Sequence, residues 1–121
     1  MKSSILAEKS FDFAICIVNM YKIFQQEKKE FVLSKQLLRS GTAIGALISE
    51  GFYAESKLDF IHKYGIAQKE CNETIYWLKL LFKTNYINAT EFENIIKEAD
   101  ELMKMITASI LTAKKSLITN H

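Results

Sequence analysis

The segment RSGTAIGALISEG, residues 39–51, decides how the rest of the chain is read. Wound at 100° per residue, Leu37, Leu38, Gly41, Ile44, Gly45, Ile48 and Phe52 fall within roughly a third of the helix circumference. That stripe predicts a core face. The opposite side, where solvated residues belong, carries Arg39, Ala43, Ala46 and Glu50, which is a face suited to being covered. Gly41 and Gly45 each cost about 1 kcal/mol in a helix interior relative to Ala, so they predict the close approach of another backbone. Arg39 and Glu50 are eleven residues apart, roughly 16 Å along the axis, and cannot pair with each other. Either they are solvated surface charges, or each finds a partner on another helix or another chain.

Outward from this helix, the chain predicts one domain over residues 1–121. It has no proline, and half its residues are apolar, which favours long uninterrupted helices. Sixteen basic residues face fourteen acidic ones, so bulk charge demands neither nucleic acid nor an anionic membrane. Cys16 and Cys71 lie in apolar helical patterns without metal-type spacing and read as buried free thiols of a reducing compartment. The apolar runs fall short of the ~20 residues that span a bilayer, and Glu8, Lys9 and Asp12 interrupt any signal-peptide core. The expectation is a cytoplasmic protein without a membrane partner.

The first helix is expected from about Ser4 to Glu27. Leu6, Phe13, Ile17, Met20 and Phe24 form one stripe, while Phe11, Ile15 and Val18 spread over the opposite side. A helix that is apolar nearly all round is either central to the fold or covered by a second chain. QQEKKE, residues 25–30, holds the first turn, and Ser34 is the expected N-cap of the second helix, which ends near Gly51. Leu33 and Leu38 are spaced for a hydrophobic staple. Ser56-x-x-Asp59 signals the start of a third helix that continues to about Asn85. Its core face is Phe60, Tyr64, Ala67, Cys71, Ile75, Leu78 and Phe82. A second cluster at another angle holds Ile66, Glu73, Tyr76, Trp77 and Leu80, and such an aromatic patch suits a partner. Thr90-x-x-Glu93 reads as a capping box opening a conventionally amphipathic fourth helix with Phe92, Ile95, Ile96, Ala99, Met103, Ile106, Ile110, Ala113 and Leu117 inward. Four helices with short connections predict an all-α, up-down-up-down four-helix bundle.

Catalytic chemistry has little support. A di-iron bundle needs two Glu-x-x-His motifs; here there is only Asp59-x-x-His62, with the other histidine at position 121. No nucleophile has a base placed to activate it, and no glycine-rich phosphate loop occurs. The expectation is therefore no enzyme, no metal and no cofactor. Lys57, Lys63, Lys69, Lys79 and Lys83 give the third helix a basic excess, and Lys22, Lys28, Lys29 and Lys35 cluster around the first turn. In one chain such lysines commonly serve solubility; repeated in an oligomer they add up to a surface for phosphates.

LSKQLLRSGTAIGALISEG from Leu33 and DFIHKYGIAQKECNETIYWLKLL from Asp59 resemble the "four helix bundle protein" family of bacteria, first noticed as reading frames within intervening sequences of 23S ribosomal RNA genes. The matching positions are Gln36, Leu38, Arg39, Ser40, Ile44 and Ser49-Glu50-Gly51, then Phe60, Ala67, Glu70, Glu73, Trp77 and Leu78. The family's usual Asn-Ile-Ala-Glu-Gly is Leu47-Ile48-Ser49-Glu50-Gly51 here, and the proline common before the second helix is missing. The resemblance implies a homopentamer, with no established enzymatic activity for most members of the family. A related branch is similar to the accessory protein of diversity-generating retroelements, which binds a reverse transcriptase and nucleic acid. The resulting expectation is an oligomeric scaffold for RNA, DNA or a nucleic-acid enzyme, the alternative being a protein-interaction module alone. Arg39, Ala43, Ala46, Glu50, Ile66, Glu73, Trp77 and Leu80 are the expected subunit contact, with charge pairs among Arg39, Glu50 and Glu73.

Overall fold

The computed structural model describes residues 2–119, with side chains from Ile5 onward; His121 lies outside them. Four helices follow one another: α1 (Lys2–Ile23), α2 (Leu33–Phe52), α3 (Lys57–Lys83) and α4 (Ala89–Thr119). Successive helices pack together across short turns, as an up-down-up-down four-helix bundle requires. Contact is most extensive between α2 and α3, then α1 and α2, then α3 and α4; α1 and α4 touch only sparsely. Thus α2 is the hub of the bundle, and α1 lies at one edge of it.

Small residues explain why α2 holds that place. A Cβ added at Gly41 would meet Ile17 Cγ1 at 2.9 Å, and one at Gly45 would meet the Ser10 carbonyl oxygen at 3.2 Å. The backbone approach expected at both glycines is made at Gly45 alone, by α1 of the same chain; at Gly41 it is the Ile17 side chain of α1 that comes close. On the other side, Gly51 lies under the ring of Tyr64, whose Cε1 would stand 2.5 Å from an added Cβ. Between α2 and α3 the hydroxyls of Ser40 and Thr74 are fully buried and bonded to each other at 3.0 Å. Ser40 in turn donates to the Gln36 carbonyl, so no polar atom of this pair is orphaned.

The core contains the expected residues Phe13, Ile17, Phe24, Leu37, Ile44, Ile48, Tyr64, Ala67, Cys71, Leu78 and Ile106, with Leu81 and Leu102 added. Two expectations fail. Phe52 is 44% exposed, because α2 ends at that residue and its ring packs edge-on against Tyr53 at a 5.0 Å centroid distance. Cys16 is exposed, since it lies well round the helix from the buried pair Phe13 and Ile17, whereas Cys71 is buried.

Helix ends also depart from expectation. The first helix leaves the α conformation after Ile23 and finishes in a π-helical turn, Phe24–Lys28, before Lys29 takes up a left-handed backbone at φ 55°. Ser34 is not the N-cap of α2, and Leu33, one half of the expected staple, is the helix's first residue. The cap is Glu30, whose carboxylate accepts from the N–H groups of Val32 (3.1 Å), Leu33 (2.9 Å) and Ser34 (2.7 Å). Ser34 instead donates its hydroxyl to the Glu30 carbonyl. At α3 the expected cap is present: Ser56 Oγ accepts from the Asp59 N–H at 3.0 Å. This helix ends at Lys83, two residues short of expectation, where Asn85 turns left-handed at φ 69°. The capping box of α4 is Asn88-x-x-Glu91, not Thr90-x-x-Glu93. Asn88 Oδ1 accepts from the Glu91 N–H (2.8 Å), and Glu91 returns the bond to the Asn88 N–H (3.0 Å).

Candidate functional site

The outer face shared by α2 and α3 gathers most of the residues singled out by sequence. Arg39 reaches across to α3, where Nη1 donates to both oxygens of Glu70 at 3.1 and 3.3 Å and Nη2 donates to Glu73. Its Nε lies 3.4 Å from Gln36 Oε1 on its own helix. Glu73 also accepts from the indole Nε1 of Trp77 at 3.3 Å. One guanidinium therefore organises two carboxylates and an indole, and it holds the Glu73 carboxyl below its ordinary range.

Glu50 takes a different partner, Lys63 Nζ at 3.3 Å. The expected charge pairing is thus realised between Arg39 and Glu73, across two helices of one chain, with Glu50 outside it. Arg39 keeps 48% of its side chain exposed and Glu50 54%, so neither is buried within the subunit. Around these charges, Ala43, Ile66, Trp77 and Leu80 are half-buried and Ala46 is exposed. Tyr76, 58% exposed, packs edge-on against Trp77. An Arg clamped between carboxylates and rimmed by small and aromatic residues is a polar-centred, apolar-edged surface.

A second uncovered surface lies on α1, the helix whose sequence is apolar nearly all round. Phe11 is 66% exposed and Ile15 46%, with Ile5 and Ile23 also open. Opposite, α1 meets α4 along a thin seam closed by Lys9 and Glu101 at 2.5 Å.

The α3 lysines do not form one patch. Lys57 donates to Ser116 on α4, Lys63 turns to α2 through Glu50, and Lys83 lies 5.8 Å from the centre of the Phe82 ring. Lys69 and Lys79 remain exposed on the outer side. His62 is exposed near the start of α3. Among the described residues no group of three or more His, Cys, Asp or Glu side chains is placed to hold a metal ion, and no helix is long and apolar enough to cross a membrane. An apolar cleft of about 450 Å³ opens between α1, α3 and α4, lined by Leu6, Phe60, Tyr64 and Ala113 with the hydroxyls of Ser109 and Thr112.

The family model described as 23S rRNA-intervening sequence protein matches residues 2–108. The chain belongs to that family. A crystal structure from Bacteroides thetaiotaomicron, of a protein with unknown function from the S23 ribosomal protein family, is 50% identical in sequence. It superposes with a TM-score of 0.89, covering 91% of this chain and 98% of that one. No functionally curated protein matches. Family membership thus accounts for the bundle without naming an activity.

Proposed function

We propose that this member of the 23S rRNA-intervening sequence protein family is a self-associating, non-enzymatic helix bundle that serves in the cytoplasm as a binding platform for RNA or DNA. The observation that carries this reading is the open flank of α1, where Phe11 and Ile15 are 66% and 46% exposed on a helix with no neighbour over them in the subunit. Adjacent apolar side chains on one helix flank are usually reserved for a partner. A second copy is the simplest partner, because the α2–α3 face around Arg39 and Trp77 supplies another half-covered surface on the same molecule. Two distinct surfaces on one subunit allow head-to-tail contacts that close into a ring. The resemblance stated above supports a ring of five. Such a ring repeats every exposed lysine of a chain whose net charge is only +2, and phosphate contacts then accumulate.

The test pairs mass in solution with a filter-binding titration of labelled RNA and DNA across salt. Phe11→Glu and Trp77→Ala are expected to lower the mass, and nucleic-acid affinity is expected to fall steeply as salt rises. A flat titration with the oligomer intact would leave a protein-interaction module alone. A wild-type monomer would remove the platform reading.

A further inference from the structure

The turn between α1 and α2 presents two apolar side chains to water on a backbone that is bonded at nearly every step. The Lys29 and Glu30 N–H groups both return to the Phe24 carbonyl, the second at 3.2 Å. Gln25 Nε2 donates to the Glu30 carbonyl (3.1 Å) and to Ser34 Oγ (2.8 Å), and the Glu30 carboxylate receives the next three N–H groups of the chain. At the apex stand Phe31, 56% exposed, and Val32, 71% exposed. The Glu30 carboxylate holds the Val32 N–H, so the backbone carrying these two side chains is tied into the cap.

The rim is basic. Lys28 and Lys29 precede the apex, Lys35 follows one turn into α2, and all three are exposed. Among the described residues none of them enters an ion pair. The carboxylates of this segment are Glu27, which is exposed, and Glu30, whose oxygens are occupied by the backbone. The turn therefore offers an exposed aromatic ring flanked by three unpaired ammonium groups.

We propose that this turn is a tip that binds single-stranded nucleic acid, with a base stacked on Phe31 and the flanking phosphates held by Lys28, Lys29 and Lys35. The proposal rests on the platform reading above and adds the strand form and the contact residues. Charge complementarity selects a polyanion, and the exposed ring selects one with free π-faces. In a duplex those faces are covered by neighbouring base pairs, whereas a single strand leaves them open. A lipid surface fits less well, because one Phe and one Val from a single turn make a weak anchor. In a ring assembly the tip recurs in every subunit, so one strand can touch several and gain avidity.

Fluorescence anisotropy of labelled oligouridylate, alone and annealed to oligoadenylate, tests this on the full chain. Wild type is expected to bind the single strand more tightly than the duplex. Phe31→Ala should weaken single-strand binding about 5- to 150-fold and barely change the duplex, while Phe31→Trp should restore it. Replacing Lys28, Lys29 and Lys35 together with Gln should weaken binding and flatten its salt dependence; the pair Lys69→Gln and Lys79→Gln should change it less. Circular dichroism confirms that each variant keeps the helical fold. Single-strand binding by Phe31→Ala equal to wild type overturns the tip and leaves the platform standing. Absence of any wild-type binding to RNA or DNA overturns both. Phosphatidylserine vesicles bound by wild type and released by Phe31→Ala, without oligouridylate binding, would assign the tip to membranes instead and overturn the proposal.

Discussion

Replacing Glu30 with alanine removes the acceptor for three N–H groups at the start of α2, and the consequence can be worked from the burial of each donor. Val32 is exposed and Leu33 is half-buried, so water can replace the carboxylate at those two. Ser34 is fully buried, and its N–H, now 2.7 Å from Glu30, would be left without a partner. An orphaned buried donor costs about 1–3 kcal/mol, and loss of a helix cap costs about 1 kcal/mol. The sum, about 3 kcal/mol, is a large share of the ~5–15 kcal/mol that holds a domain of this kind together. Glu30→Gln keeps one acceptor oxygen and should lose about half as much. The pH arm has a definite sign. Burial pushes the Glu30 carboxyl up, but the N–H groups of Leu33, Ser34 and Val32 outweigh it and hold the group below its ordinary range. A carboxyl whose value is lower when folded stabilises fully above its unfolded value of about 4.3, and that contribution is lost as pH falls through the folded value. Urea unfolding followed by far-UV circular dichroism should therefore separate wild type from Glu30→Gln constantly near neutrality and progressively less under acid. A Glu30→Ala variant within about 0.5 kcal/mol of wild type at neutral pH would refute the reasoning.

Three further outcomes follow from the same geometry. Asn88→Ala should cost about 1 kcal/mol in urea unfolding and Thr90→Ala only a few tenths, because Asn88 makes the cap of α4; the reverse order would restore the box at Thr90 and Glu93. Gly51→Ala should destabilise by about 1–2 kcal/mol despite the gain in helix propensity, because the ring it meets, that of Tyr64, is buried and packed 4.1 Å from Phe60; a more stable variant would show that the ring yields freely. In the native protein a thiol reagent should modify the exposed Cys16 faster than Cys71, which reacts only on unfolding, since burial pushes the Cys71 thiol up to about 11; equal rates would contradict the assigned burial.

Sequence periodicity was enough to read four helices, the buried stripes of α3 and α4 and the need for Gly41 and Gly45, because those features depend on spacing along one helix. Features that depend on where the backbone leaves a helix were harder to read. Ser56 caps α3 as its motif predicts, yet Thr90-x-x-Glu93 has equal spacing and begins at the second residue of α4. At α2 the cap is a glutamate four residues before Ser34, a position that became useful only because Lys29 turns left-handed and folds the chain back. Cys16 looked buried because its sequence neighbours are. Its angular position decides otherwise. The Arg39 face was recognisable from a charge on an otherwise small-residue surface. Glu73 is among its expected partners; Glu70 is not, although it lies three residues away on the same face of α3, which is the signal that identifies it. Around the first turn the lysines were plain, but Phe31 and Val32 read as a lead-in to α2; their exposure follows from the Glu30 cap.

Light scattering coupled to size exclusion, run from dilute to concentrated protein, addresses most directly whether the uncovered flank of α1 and the α2–α3 face meet between copies. The expected mass is about five times the 13.9 kDa of one chain, falling for Phe11→Glu. A constant 13.9 kDa at every concentration, with Phe11 left in water, would contradict the account.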